Sequence, residues 1–406
     1  MIQNIQSTML YYENKKIRGP IYNWREVFAE YNRLGVPEGL YDPTKTPVEK
    51  CRWNSIISIR SRGKTTAWLL IGMIVNRKYG CQVSYIRETE DMLAPVNARE
   101  LFNTINEYEG GRYIRDMTDE QYNYILVKDR RGYFAHIDEK GDVDRRETEP
   151  WLYMLSIDRN FYYKSSLNLP EGNLILFDEF ISNKYKENEF IDLCDLCKTI
   201  MRKRLTPVII MLANNIDIST PYFRELEISH EVKKLEIGES KICYSSGGTA
   251  VYVELDKVPE KEKKNQSIFN RLFFGFKNPK LVAITGEGAS AWAIDIYPHI
   301  THEPDEELLD RRLYIDVTEE LLNVEFVLKP TLGLVANIHP ANEPKRDSVI
   351  LTTEEITDPR QDYAFGKSAI ATALWKLYTV NRCFYSDNET GARFKQYVNM
   401  CKISKK

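Results

Sequence analysis

Between an apolar run and a helix-forming run the chain carries Ser58-Ile59-Arg60-Ser61-Arg62-Gly63-Lys64-Thr65, with Thr66 directly behind it. This stretch restricts the fold more than any other. A glycine, a lysine and a hydroxyl residue in succession, where a strand turns into a helix, form the end of a phosphate-binding loop. Such a loop needs backbone N–H groups and a helix N-terminus facing the phosphates. Lys64 is then placed to reach outer phosphate oxygens, and Thr65 to ligand magnesium. Ser58 stands where glycine is usual, so the pattern is matched at its end and not at its start. Gly-Lys-Thr at a helix start also arises by chance, and the surroundings must decide.

Those surroundings alternate strand and helix. Ser55–Arg60 reads as a strand, Lys64–Tyr79 as a helix stopped by Gly80, and Cys81–Arg87 as a second strand. YNYILVKD and GYFAHID flank Arg130-Arg131-Gly132, a turn signal between two β-rich runs. Asn173–Phe177 is uninterruptedly apolar, as a strand covered on both faces must be. Glu189–Arg204 is amphipathic, with Phe190, Leu193, Cys197, Ile200 and Met201 at helical spacing, and Pro207–Leu212 is again an apolar strand. The order implies an α/β domain with a mostly parallel sheet. Ahead of it, Trp24, Val27, Phe28, Tyr31 and Leu34 share one face of a helix closed by Gly35, and Pro37, Pro43 and Pro47 mark an extended lead-in.

A length of 406 residues favours two domains. The charged run Asp256–Gln266 reads as a linker, although a solvated helix or loop within one domain has the same composition. We place the first domain at 1–256, including a preamble of 1–50, the linker at 257–277, and the second domain at 278–406. In the second, KLVAITGEG and SAWAIDIY suggest a hairpin about Gly286–Gly288, and Tyr363–Val380 a helix.

Composition excludes several classes. No apolar run is long enough for a membrane helix, and the N-terminus lacks the features of a signal peptide, so the expected location is the cytoplasm. A net charge of −3 is not the basic surplus of a permanent nucleic-acid binder, but leaves room for a transient grip through local basic patches. Seven scattered cysteines do not form a disulfide framework. Cys194 and Cys197 have no histidine near them in sequence and share one helix face, which favours core thiols over a metal site.

Further motifs complete the chemistry. Leu174-Ile175-Leu176-Phe177-Asp178-Glu179 is an apolar strand closing on two carboxylates. In that position Asp178 can hold the Mg²⁺ shell, and Glu179 can orient or deprotonate an attacking water. An apolar strand ending in an acidic loop is also common; its place after a phosphate loop marks an ATPase. Asn214, at the tip of Pro207–Leu212, can sense a γ-phosphate, or with Asn215 simply form a turn. Arg202, in Met201-Arg202-Lys203-Arg204, can act as an arginine finger on a neighbouring subunit's ATP, or complement a helix C-terminus. Lys164, in YYKSS, is a weaker candidate of the same type.

With IRSRGKT, VSYIRE, LILFDEF, MRKR and MLANNIDISTPYF in this order, the chain resembles the DNA-packaging (encapsidation) ATPases of small short-tailed phages with protein-capped linear genomes, a terminase-like branch of the ASCE P-loop ATPases. The resemblance implies ATP and Mg²⁺ as cofactors, with Lys64 and Thr65 on phosphate and metal and Arg60 moving with nucleotide state. It makes Asp178 the metal residue, Glu179 the water-directing residue, Asn214 the coupling residue and Arg202 the finger acting in trans. It implies a homo-oligomeric ring, commonly of five subunits, that drives double-stranded DNA through the portal of an empty prohead, with a packaging RNA as a further partner. The site of action would be the host cytoplasm and, transiently, the portal vertex, not the mature virion. The C-terminal domain would have a ribonuclease-H-like α+β fold, a vestigial nuclease in which Glu287, Asp295, Asp316 and Asp387 are ordinary carboxylates. Lys128, Arg130, Arg131, Lys402, Lys405 and Lys406 are candidate DNA contacts or plain surface charges. A helicase, a remodelling ATPase, a terminase that still cuts DNA, and a P-loop scaffold without turnover are the alternatives.

Overall fold

A computed structural model describes residues 22–37, 40–58, 62–167, 169, 172–181, 188–201, 207–214, 220–232, 234–257, 297–317, 320–352, 356–363 and 369–403. The described residues divide into two compact units, one of those up to residue 257 and one of those from residue 297. The expected linker, Lys257 apart, and the expected hairpin about Gly286–Gly288 lie outside the described residues.

The first unit is built on one large sheet whose middle is parallel. Its strands are β1 (Trp53–Ile57), β2 (Gln82–Arg87), β3 (Tyr124–Lys128), β4 (Arg131–Ile137), β5 (Val143–Arg146), β6 (Leu152–Ser156), β7 (Gly172–Asp178), β8 (Val208–Ala213), β9 (Ser240–Tyr244) and β10 (Ala250–Leu255). They are ordered β3-β4-β6-β2-β7-β8-β1-β10-β9, with β5 on β4. From β6 to β10 every neighbouring pair is parallel, and antiparallel strands finish both edges. Every residue of β7 and β8 is buried, which accounts for their unbroken apolar sequences.

Helix α1 (Trp24–Arg33) and helix α2 (Lys64–Tyr79) cover part of this sheet. Nearly all of α2 from Ala67 to Val75 is buried, so it is apolar all round and not striped. Gly63 at φ 68° starts it and Gly80 at φ 67° ends it, both in the left-handed region that glycine adopts without penalty. Trp24, Val27, Tyr31 and Leu34 of the lead-in join the same core as Trp68 and Ile71 of α2. The expected face of that first helix is therefore the one that packs.

The boundaries shift in places. Strand β1 begins and ends earlier than the expected Ser55–Arg60, and Ile59 and Arg60 lie outside the described residues. The β3–β4 turn is Asp129-Arg130, both at positive φ, which is the primed geometry that matches strand twist. Arg131 and Gly132 accordingly belong to β4.

The second unit has strands β11 (Glu307–Val317), β12 (Glu320–Lys329), β13 (Gly333–Ala341), β14 (Val349–Thr352), β15 (Gln361–Tyr363) and β16 (Cys383–Tyr385), ordered β15-β14-β11-β12-β13-β16. β11, β12 and β13 form an antiparallel meander, while β14, β15 and β16 add in parallel. Helices α4 (Ala369–Thr379) and α5 (Asn388–Ile403), numbered after α3 (Glu189–Met201) of the first unit, bring Leu374, Phe394 and Val398 onto the sheet residues Ile315, Val324 and Ile338. This is the α+β architecture expected there. Of the expected Tyr363–Val380 helix, Ala369–Thr379 is helical, while Tyr363 ends strand β15 in register with Thr352.

Of the second-unit carboxylates, Glu287 and Asp295 lie outside the described residues. Asp316 is half-buried, and burial alone raises its carboxyl pKa. Asp387 accepts the Thr390 N–H at 2.7 Å and caps α5. Among the described residues no group of three or more histidine, cysteine or acidic side chains could hold a metal, and no helix is long and apolar enough to cross a membrane.

Candidate nucleotide site

The register of the sheet assembles the site. Asp178 pairs with Leu212 across β7 and β8, Ala213 with Ile57 across β8 and β1, and Phe177 with Ile86 across β7 and β2. The Ser58 N–H donates to the Ala213 carbonyl at 3.2 Å and continues the ladder by one residue. Four strands therefore finish level at their carboxyl ends, where an open parallel sheet places its ligand site. Ser58, Arg87, Asp178, Glu179 and Asn214 lie side by side along that edge. Because β8 separates β1 from β7, Asn214 sits between the loop and the carboxylates.

Lys64 turns into this group from the first position of α2. Its ammonium donates to Ser58 Oγ at 2.6 Å and to Asn214 Oδ1 at 2.9 Å. The side chain is only 4% exposed, and burial pulls its pKa down to about 8, against the opposing pull of Asp178. Ser58 thus has a use that glycine could not supply: its hydroxyl accepts from the lysine.

Thr65 Oγ1 donates at 3.2 Å to either oxygen of Asp178. A hydroxyl and a carboxylate of these types, converging from a helix start and a strand end, suit a magnesium ion, which prefers oxygen ligands and keeps several waters. Asp178 also accepts from the Tyr85 hydroxyl at 2.7 Å and faces Arg87 at 3.4 Å. Burial raises its pKa, while Arg87 and the Tyr85 hydrogen bond oppose that rise.

Glu179 differs from its neighbour in both backbone and surroundings. Its φ is 57°, an uncommon value for a residue with a side chain, and its N–H turns back to Asp178 Oδ1 at 3.1 Å. The carboxylate is 47% exposed and is held by the Arg87 guanidinium. Arg87 therefore touches both acidic residues. Lys64 and Arg87 together balance Asp178 and Glu179, which lets four ionisable groups share a largely buried edge.

The other expected site residues are distributed differently. The side chain of Arg62, a residue of the loop motif, is buried and pairs with Asp256 at 2.9 Å. Thr66 is half-buried in the first turn of α2. Lys164 pairs with Asp195 at 2.5 Å, on the surface between the Asn160–Ser166 helix and α3, and is not brought to the loop of its own chain. Ile59, Arg60, Ser61 and Arg202 lie outside the described residues. Cys197 is buried and Cys194 partly so, and burial raises both thiol pKa values, that of Cys194 to about 11. Of the candidate DNA contacts, Arg130 pairs with Glu90 and Arg131 lies 5.5 Å over the Tyr153 ring.

Sequence reasoning assigned no role to Tyr85, Arg87 or Asp256. For Tyr85 and Arg87 a signal existed: the period of two along β2 places them on one face, with Arg87 at the carboxyl edge.

A family model described as Podovirus DNA encapsidation protein (Gp16) matches residues 38–273. The DNA packaging proteins of Bacillus phages phi29 and PZA are each 29% identical to this chain over 199 residues, covering 48% of this chain and 52% of the relative. The chain thus spans about half the length of the curated relatives it matches. Among solved structures, a subunit of the bacteriophage Phi-29 viral genome packaging motor assembly aligns with TM-score 0.51 and 19% identity over 89% of this chain and 100% of its own length. A chain of the Phi-28 gp11 DNA packaging motor aligns with TM-score 0.51 and 17% identity over 87% and 95%. At these identities the structural likeness speaks to the fold alone.

Proposed function

The chain belongs to the podovirus DNA encapsidation protein family, and from that premise we propose that it is an ATP-hydrolysing subunit of a motor that moves double-stranded DNA into a phage prohead. One observation carries the reading. Lys64, Thr65, Asp178, Glu179 and Asn214 converge on one sheet edge with the residue types and positions that binding and cleaving a nucleoside triphosphate require.

Lys64 exchanges Ser58 and Asn214 for phosphate oxygens when nucleotide arrives. Thr65 and Asp178 would hold a magnesium ion, whose charge would offset that of the phosphates. Glu179 orients the attacking water and accepts its proton, once its carboxylate is released from Arg87. Asn214 loses its lysine partner on binding and regains it on product release, so the end of β8 registers nucleotide state. Arg202 completes the site of a neighbouring subunit, with Lys164 a second candidate for that role.

The assembly we propose is a ring of five subunits seated on the portal vertex in the host cytoplasm, with duplex DNA as substrate and a packaging RNA as a further component. The second unit is a nuclease-type fold that does not cut. The test is packaging in vitro: proheads, duplex DNA, ATP and this protein should give DNA protected from added nuclease. Protection without the protein, or its absence when every component is present, overturns the proposal.

A further inference from the structure

The segment between Ile57 and Arg62 is held at both ends by one distant residue. The Asp256 N–H donates to the Ile57 carbonyl at 2.8 Å, at the last residue of β1. The Asp256 carboxylate accepts from Arg62 Nε at 2.9 Å, 194 positions away in sequence, at the residue before the helix-starting Gly63. The side chains of Arg62 and Asp256 are 6% and 13% exposed, so the ion pair is shielded from water and from salt. The Arg62 carbonyl accepts the Tyr41 N–H at 2.7 Å, and the Tyr41 hydroxyl donates to buried Glu254 at 2.9 Å, on the same strand end.

We propose that Asp256 and Arg62 are a positioning pair that fixes the span of the phosphate loop, and so sets the affinity for the phosphates of the nucleotide. This rests on the nucleotide-site reading above. The physical reason is geometric: a loop cradles phosphate only if its two ends are held at the separation that directs its N–H groups inward. With Ser58 in place of the usual glycine, the loop has fewer permissive positions from which to find that shape unaided. A buried pair with one partner anchored through its own backbone to β1 supplies the constraint. The two charges act on Lys64 with opposite sign, Asp256 raising its pKa and Arg62 lowering it. Within the intact pair these influences oppose each other, and what the pair adds is loop shape. Asp256 is also where the charged stretch begins, so it belongs functionally to the loop and not to a spacer.

The test measures equilibrium binding of ATP and ADP to the full chain, wild type, Asp256→Asn, Arg62→Lys and the double variant, with melting curves for each. Arg62→Lys keeps the charge but loses the Nε donor, and so guards against a variant that fails to fold. We expect each single variant, at a temperature where it is folded, to bind nucleotide about tenfold more weakly, with kcat at saturating ATP changed less than about twofold. The double variant should lose no more than the worse single. Melting shifted but affinity unchanged in both singles would make the pair merely structural and overturn the proposal. A loss confined to one partner, or additive losses, would overturn it equally. Wild-type protein that binds no nucleotide would instead remove the nucleotide-site reading on which this depends.

Discussion

Lys64 Nζ lies 2.9 Å from Asn214 Oδ1, so the cation at the start of the loop helix is joined to the tip of the strand between the loop and the carboxylates. The bond is short, and the lysine is buried, so the contact must break or lengthen for the ammonium to bind phosphate. Asn214→Asp would put a carboxylate in competition with that phosphate, and we expect nucleotide affinity to fall at least about tenfold by equilibrium titration, the scale of one charge-assisted bond. Asn214→Ala removes the competitor and should bind nucleotide within about threefold of wild type.

The lowered pKa of Lys64, about 8, gives two pH effects of opposite sign. Its folded value lies below the ordinary 10.5, so the unfolded chain keeps the proton to higher pH. Stability therefore rises as pH climbs from about 8 toward 10.5, where this group's contribution levels off. Nucleotide affinity moves the other way, because the neutral amine attracts phosphate poorly and binding must first take up a proton. Calorimetric titrations at pH 7.5 and 9, in two buffers of different ionisation enthalpy, should show weaker binding and proton uptake at the higher pH. Equal affinity and no uptake would mean that the lysine is fully charged in the free protein.

Glu179→Gln keeps the size and the Arg87 contact but removes the base. Affinity for ATP should stay within a few-fold, while turnover falls by at least about 10²-fold, the usual contribution of a general base. Turnover near wild type would reassign the water-directing role.

Strand β7, which ends at the Asp178 that meets Thr65, is buried along its whole length. Leu176 is fully buried at its centre, so Leu176→Ala should cost about 2–5 kcal/mol in denaturant unfolding. A change below about 1 kcal/mol would contradict the packing described.

A finger acting between subunits makes a prediction about mixtures. Arg202→Ala alone should lose turnover, and mixing it with Lys64→Ala subunits should restore part of it, since one subunit offers an intact arginine to the other's intact loop. Mixed rings demonstrated by crosslinking, yet inactive, would remove Arg202 from that role.

Much of the site was legible because it lies where periodicity is strong. The apolar runs Asn173–Phe177 and Pro207–Leu212 read as buried strands and Lys64–Tyr79 as a helix stopped by Gly80, and the structure places strands and helix there. The second unit was harder to read. β11 carries two register irregularities against β12, which break the alternation that announces a strand, and Tyr363, where a helix is expected to start, ends strand β15. The side-chain partner of Arg62 was hidden for a different reason. Motif spacing fixes which residue belongs to the loop, but not which way its side chain turns, and the partner that decides this is 194 positions away. Arg87 escaped notice because its importance comes from strand order, which puts β2 beside β7, and order is not written in local sequence.

The measurement that bears most directly on the central claim is the steady-state ATP turnover of the purified full chain, alone and with duplex or single-stranded DNA, alongside Lys64→Ala and Glu179→Gln. The account predicts turnover stimulated mainly by duplex DNA and abolished in both variants. Stimulation by single strands alone, or equal turnover in the variants, would contradict it.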